Sequence, residues 1–490
     1  MKRQRTSRFA RLHLTVAVLL LSAAGLAFAL RPDTNATTPE DASQRTQPLR
    51  LHPDNPHYFL FRSQPAVLIT SAEHYGAVIN PDFDYIAYLD KLHESGFNLT
   101  RIFTGAHVEA ADFTVLGHYN TLAPRPSRVL APWARSQTPG YFYGGPKFDL
   151  TRWDPDYFSR LRDFIAEAGL RGIVVELTLF SPSYTESNWR ASPFNYINNV
   201  NNAGEIPISQ VHKLDNGGLL RFQDALVQKI VRETNEYDNV YYEVVNEPFW
   251  NNEVADEWQN HIIGTIVNAE QHLRYKHLIA QNSAAHSAKI ADPNPAVSIF
   301  NFHVAIPDAV TSNYNLGKAI ADDETGFKGL DAAPYRIEAW DFILAGGSVF
   351  NYLDWSFAPD HERGTLVVPP NHSSGGGETL RLQIHALKEF IESFEFIRMR
   401  PDESVVLGGV PADATVRALA ERGQTYAIYL NGGQQANLEL DLAPGSYRAD
   451  WIKPEAGTVE KRETFTHAGG ARTVSSPPYE QDIALRIRRV

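Results

Sequence analysis

From about residue 48 the chain alternates between short apolar runs and longer stretches in which apolar residues recur every three or four positions. The runs read as strands and the stretches as amphipathic helices. Strands are predicted over 65–71, 97–103, 172–180, 239–245, 278–281, 297–302, 318–321 and 348–353. Helices are predicted over 82–95, 154–169, 222–236, 253–275, 333–344 and 380–393; in the 222–236 stretch Leu226, Ile230 and Val231 share one face. Such alternation is the pattern of a parallel sheet with crossover helices. Eight strand–helix units in one run point to a closed (β/α)8 TIM barrel rather than an open doubly wound sheet. No glycine-rich turn follows the first strand, which weakens a dinucleotide-binding reading. The long connections 105–149 and 181–220 both follow strands, and in a barrel that is the C-terminal rim where catalytic loops sit.

Beyond about residue 403 the texture changes. Segments 414–420, 425–430, 436–442 and 483–487 alternate apolar and polar residues between turns such as Asn431, Gly432 and Gly433, the pattern of a small antiparallel β-sandwich. At the other end, Lys2, Arg3, Arg5, Arg8 and Arg11 precede an apolar run over 14–30, and Ala27, Phe28 and Ala29 supply a small-x-small cleavage site. That reads as an export signal, with an uncleaved signal anchor as the alternative. The expected division is a signal over 1–29, a flexible linker over 30–47, the barrel over 48–398 and the sandwich over 399–490. The last two follow one another with so little linker that they should share an interface.

Two features of composition narrow the chemistry. A formal net charge of -12 argues against a nucleic-acid or anionic-membrane partner, since nothing would offset phosphate repulsion. The chain has no cysteine, which removes disulfides, thiolate nucleophiles and cysteine-ligated metals. The histidines, His107, His118 and His261 among them, are scattered without metal-ligand spacing, and no Gly-x-Ser-x-Gly elbow is present. No metal and no cofactor is expected.

Cleaving a glycosidic bond with retention takes two facing carboxyl groups, about 5 to 5.5 Å apart, one to protonate the leaving oxygen and one to attack the anomeric carbon. The strand over 239–245 runs into Asn246, Glu247 and Pro248; proline cannot continue a ladder, so the strand stops with Glu247 at its mouth. The strand over 318–321 runs into Asp323, Glu324, Thr325 and a glycine turn at Gly326.

In these two segments and their strand order the sequence resembles clan A of the glycoside hydrolases, most closely the family 5 type that includes cellulases and mannanases, over about residues 55–395. The resemblance implies that Glu247 is the acid/base and Glu324 the nucleophile. It implies that Arg101, in the second strand, braces the nucleophile and keeps it ionised. It implies that Asn246 binds the sugar 2-hydroxyl, that His303 is a site residue, and that Trp355 forms a floor for the sugar. One position departs from the family: Ala305 stands where a tyrosine usually touches the nucleophile.

Other residues are read from their placement. Glu243 falls on the same side of its strand as Glu247, as a hydrogen-bonded carboxylate of the barrel interior. Glu73, His74 and Tyr75 at the end of the first strand are candidates for contacting a sugar or for a rim network. Tyr184, Trp189 and Trp250, on the loops after the third and fourth strands, are candidate stacking platforms. The C-terminal module resembles the β-sandwich named collagen-binding in some proteins, and is expected mainly to pack on the barrel. The expected partner is a carbohydrate substrate, outside the cytoplasm, with no stable membrane association once the signal is cleaved. The expected activity is hydrolysis by double displacement. The competing readings are a carbohydrate-binding surface protein without turnover and a transglycosylase using the same pair.

Overall fold

The computed structural model describes residues 47–109, 122–250 and 254–490, together with the backbone of two short strands at 114–115 and 118–119. The export segment and the linker up to residue 46 lie outside the described residues. Among the described residues no helix is long and apolar enough to cross a membrane.

Eight parallel strands form the central sheet: β1 (Leu68–Thr70), β2 (Leu99–Phe103), β3 (Val174–Phe180), β4 (Val240–Val245), β5 (Ile279–Ala285), β6 (Ile299–His303), β7 (Ala319–Thr325) and β8 (Val349–Tyr352). The order runs from β1 through β8 and back down to β2, each strand beside its sequence neighbour. Just past the end of β1, Glu73 bridges Arg101 on β2, with His74 N–H donating to Arg101 O at 2.9 Å and Arg101 N–H to Ala72 O at 3.1 Å, which closes the barrel.

Side chains alternate across a strand, so one inward-facing set runs up each. The lower inward set is apolar: Leu68, Leu99, Val174, Tyr241, Ala280, Ile299, Ala319 and Val349 pack together, capped below by Leu49 and Phe59 of the N-terminal segment. Two residues further along, every strand but β7 turns polar, with Arg101, Glu176, Glu243 and Asn301 among the set, all four fully buried. The apolar layer is the floor and the polar layer the base of the site.

Three expectations change. The 65–71 run is not one strand: Gln64–Ala66 pairs with Phe59–Phe61 in a separate hairpin, and only Leu68–Thr70 enters the barrel. The units are not eight complete strand–helix pairs, because no helix joins β5 to β6. The connection over 105–149 is not plain loop either, since Trp133–Pro139 pairs with Pro146–Trp153 at its end.

The C-terminal residues form two antiparallel sheets. A six-stranded sheet contains Thr415–Glu421, Thr425–Asn431, Asp482–Arg489 and Gly445–Lys453; a three-stranded sheet contains Asn437–Leu442 and Gly470–Ser475. Ile428, Leu430, Leu485 and Ile487 of the first pack on Leu438, Leu440 and Val474 of the second. The alternate residues, Leu419, Ala427, Tyr429 and Ala484, belong to the barrel's own core. Trp340, on the helix Ala333–Leu344, stacks on Tyr429 with ring centroids 5.3 Å apart. Arg336 of the same helix reaches Asp482 with two hydrogen bonds of 2.9 Å. Both faces of the larger sheet are therefore buried at its central strands, while the edge strand Thr458–His467 has no buried residue.

Candidate active site

A cavity of about 590 Å³ opens beyond the C-terminal ends of the barrel strands, and both Glu247 and Glu324 line it. Glu247 follows β4 with φ at +41°, a left-handed conformation that turns its carboxyl into the cavity instead of continuing the strand. Glu324 owes its position to an irregularity. The pairing of β6 with β7 shifts register after Phe302 and that of β7 with β8 after Asp322, so the consecutive residues Asp323 and Glu324 both reach Arg101. A local bulge re-aims side chains in this way.

The two carboxyls face each other across His303. Its Nδ1 is 3.2 Å from Glu247 Oε1 and 3.8 Å from Glu324 Oε2, and these donor atoms all lie within 4.8 Å of one another. Such a trio is close enough to chelate a divalent ion, but the Arg101 guanidinium already supplies a positive charge at 2.8 Å from Glu324.

Arg101 has no exposed surface and spends its donors on five acceptor contacts. Nη1 donates to Glu73 and to Glu324, both at 2.8 Å, while Nε and Nη2 donate to Glu243 at 3.1 and 2.7 Å and Nη2 to Asn246 Oδ1 at 2.6 Å. Burial alone would favour the neutral guanidine, but Glu243, Glu73, Asp323 and Glu324 outweigh it and hold Arg101 well above its ordinary pKa. Burial also opposes the charge on Glu243, yet Arg101, the Thr178 hydroxyl and His303 bring that carboxyl down to about 2. Glu243 is thus a fixed anion of the barrel interior. Glu73 differs: burial dominates, the Glu324 charge adds to it, and its carboxyl is pushed well above the usual range.

His303 is buried, which disfavours its charge, but Glu324, Asp323 and Glu247 together raise its pKa well above 6.5. Asn282 Nδ2 lies 2.6 Å from Nε2, while Asn282 Oδ1 is buried without a partner among the described residues. With the amide as placed, Nε2 accepts and the ring proton sits on Nδ1. The imidazolium needs the amide rotated, which lets the oxygen accept from Nε2 in exchange for the 3.3 Å bond from Asn282 Nδ2 to Glu243 Oε1. We favour the rotated form because three carboxylates face the ring, and in both forms Nδ1 carries a proton directed at Glu247. Burial raises the Glu247 pKa, but the His303 and Tyr184 hydrogen bonds and the Arg101 charge bring it below its ordinary value.

Of the remaining sequence candidates, Tyr75, Trp250 and Trp355 line the cavity, and Trp250 is 50% exposed at its mouth while Trp355 is buried in its wall. His74 is not brought into the site. Its ring packs on Phe83 with centroids 3.9 Å apart, and burial lowers its pKa to about 3, so it is a neutral core histidine. Trp189 is likewise buried, its indole N–H donating to Ile206 O at 3.2 Å. Ala305 is buried and its N–H donates to Asp322 at 3.0 Å. A tyrosine does reach the pair from another loop: Tyr184 O–H donates to Glu247 Oε2 at 2.6 Å and accepts from Asn246 Nδ2 at 2.7 Å. His107, Glu109, Phe327 and Lys328 also line the cavity, and sequence reading assigned them no role there.

Strain is concentrated at this cavity. Glu247, His286, Val304 and Phe327 all have positive φ without being glycine, and all four line it. For a β-branched residue such as Val304 this conformation is a marked outlier, of the kind that clusters at functional sites.

No family model and no curated protein matches the chain. Solved structures do. A candidate glycoside hydrolase of Bacteroides vulgatus matches with a TM-score of 0.64 at 14% identity, over 91% of this chain and 83% of that one. A family 5 glycoside hydrolase of the same organism matches with a TM-score of 0.62 at 14% identity, over 91% and 93%. A third protein, described as a glycoside hydrolase, matches with a TM-score of 0.59 at 14% identity, over 91% and 97%. The fold is one that glycoside hydrolases share. The clan A resemblance read from the strand order around Glu247 and Glu324 therefore holds for the fold of barrel and C-terminal sheets together, since the glycoside hydrolase matches span nine-tenths of the chain.

Proposed function

We propose that this chain is a retaining glycoside hydrolase in which Glu324 attacks the anomeric carbon and Glu247 serves as acid and then base. The observation that carries the reading is the approach of their carboxyl oxygens to within 4.8 Å across a strand-end cavity. Inverting enzymes keep their carboxyls about 6.5 to 9.5 Å apart to admit a water molecule, and retaining enzymes about 5 to 5.5 Å.

In the first step a Glu324 oxygen forms a bond to the anomeric carbon as the glycosidic oxygen leaves with a proton. Arg101, which is bonded to Glu324 Oε2, holds that carboxylate in place for attack. At rest the proton belongs to His303, because Glu247 is held below its ordinary pKa and His303 above. It crosses the 3.2 Å separation from Nδ1 to Glu247 and from there to the leaving oxygen. In the second step Glu247 takes a proton from water, which attacks the glycosyl ester and releases Glu324, and the proton returns to His303. The lowered pKa suits Glu247 to the second role, and its histidine neighbour supplies the first. The basic and apolar start of the chain supports action outside the cytoplasm, and N-terminal sequencing of exported protein near residue 30 tests that part.

Kinetics of single variants on an activated aryl glycoside test the assignment. Glu324→Gln should leave almost no turnover. Glu247→Ala should accumulate the covalent intermediate, and azide, which needs no base, should restore turnover and give a glycosyl azide of retained configuration. Azide rescue of Glu324→Gly should give the inverted product. Near wild-type rates in both single variants would sink the reading.

A further inference from the structure

Beside the catalytic pair the cavity contains a second polar cluster that the double displacement does not use. His107 and Glu109, on the connection after β2, both line the wall. His107 is 5% exposed, and among the described residues neither of its ring nitrogens has a hydrogen-bond partner. Glu109 Oε2 is also buried without a partner among the described residues. The two side chains face each other with His107 Nε2 at 3.9 Å from Glu109 Oε1, too far for a direct hydrogen bond. Buried polar groups are nearly always satisfied, so three such atoms at one cavity wall point to something that enters from the cavity.

The cluster is held rigidly. Glu109 N–H donates to the Tyr75 hydroxyl and the Tyr143 hydroxyl donates to Glu109 O, both at 2.7 Å. The His107 ring meets Tyr75 and Tyr184 edge-on, with centroids 6.0 and 5.8 Å away. An imidazole N–H and a carboxyl oxygen separated by one atom's width suit a group that both accepts and donates, which is a hydroxyl. A ligand carboxylate is disfavoured there, because Glu109, Glu324 and Glu247 would repel it. Tyr184, which meets the His107 ring, donates to Glu247, so the cluster lies on the wall beside the catalytic pair.

We propose that His107 and Glu109 bind a ring hydroxyl of a sugar seated in the cavity beside the catalytic pair, and so select neutral sugars that carry that hydroxyl. The proposal rests on the glycoside hydrolase reading. It is tested with His107→Phe and Glu109→Leu, which keep bulk, on a panel of aryl glycosides each lacking one ring hydroxyl. In the wild type one deoxy position should lower kcat/KM roughly tenfold to a hundredfold, the effect of one hydrogen bond to a charged group. Each variant should lose a similar factor on the parent glycoside and show no further loss on that deoxy compound. Both replace buried polar groups that lack a partner among the described residues, at both His107 ring nitrogens and at Glu109 Oε2, so their melting temperatures should not fall. A deoxy penalty that persists undiminished in the variants, or variants with wild-type rates on the parent, would overturn the proposal. Calorimetry of the same sugars binding to Glu324→Gln, with and without His107→Phe, separates the two readings. Absence of turnover with binding weakened by His107→Phe refutes the hydrolase alone, binding unaffected by His107→Phe refutes the subsite, and no binding of any sugar refutes both.

Discussion

Replacing Arg101 with methionine removes the one guanidinium that Glu73, Glu243, Asn246 and Glu324 share, while keeping an unbranched chain in the barrel interior. Breaking a buried ion pair from one side costs about 3–5 kcal/mol, because the abandoned charge remains buried. For the compact unit spanning Gln44–Val490, unfolding entropy of about 2.1 cal/mol/K per residue amounts to roughly 0.9 kcal/mol/K, so the expected loss is about 3–5 °C in Tm. The pH dependence is the sharper signature. In the wild type Glu243 is held at about 2, below its ordinary 4.5, so its stabilising contribution is present above 4.5 and disappears as pH falls toward 2. Without Arg101, burial dominates and its folded-state pKa rises above 4.5, so the variant is penalised progressively as pH climbs through and beyond that value. The gap in Tm between wild type and Arg101→Met should therefore widen from about pH 5 to about pH 8 in calorimetric scans. An unchanged Tm, or an equal loss at both pH values, would refute the account of Arg101 as the counter-charge of the site.

Three further outcomes follow from the same geometry. His303→Gln removes the group that lowers the Glu247 pKa, so burial should pull that carboxyl up, and the alkaline limb of kcat/KM, set in the wild type by a histidine raised above 6.5, should move to lower pH; superimposable profiles would count against the shared proton. Tyr184→Phe deletes the 2.6 Å hydrogen bond to Glu247, and kcat/KM should fall roughly tenfold to a hundredfold with little change in Tm; an unchanged rate would remove Tyr184 from the site. Arg336→Ala strands the buried Asp482 and should cost about 3–5 kcal/mol while leaving one calorimetric transition; separate melting of the C-terminal sheets would contradict a common core.

The strands were legible because a parallel barrel buries both faces, so β3 and β4 are nearly unbroken apolar runs. Glu247 was legible because Pro248 ends its strand. Parity along the strand explains both a success and a failure. Glu243, read from its spacing along the strand as an interior carboxylate, does face inward within β4, bonded to Arg101 and Thr178. His74 lies beyond β1, where the chain has left the pleat, so alternation no longer decides which side it faces. Glu324 faces the cavity through a register shift, and no local sequence pattern marks that shift. The hairpin over Trp133–Pro139 and Pro146–Trp153 was missed because its tip is exposed and polar, which leaves only a weak alternation. Tyr184 and His107 acquire their neighbours only when loops after different strands converge.

The central strands of the larger C-terminal sheet have no free face, and this bears on how such a chain can be rearranged. A sheet that packs on one side only can be exchanged between proteins as long as its own core goes with it. Here Tyr429 and Trp340 complete each other across the seam, so neither partner has a finished surface alone. A gene fragment ending near residue 398 would encode a barrel with Trp340 uncovered, and an apolar patch of that kind favours aggregation over folding. Recombination that preserves a soluble product must therefore transmit the barrel and its C-terminal sheets together, as one heritable block.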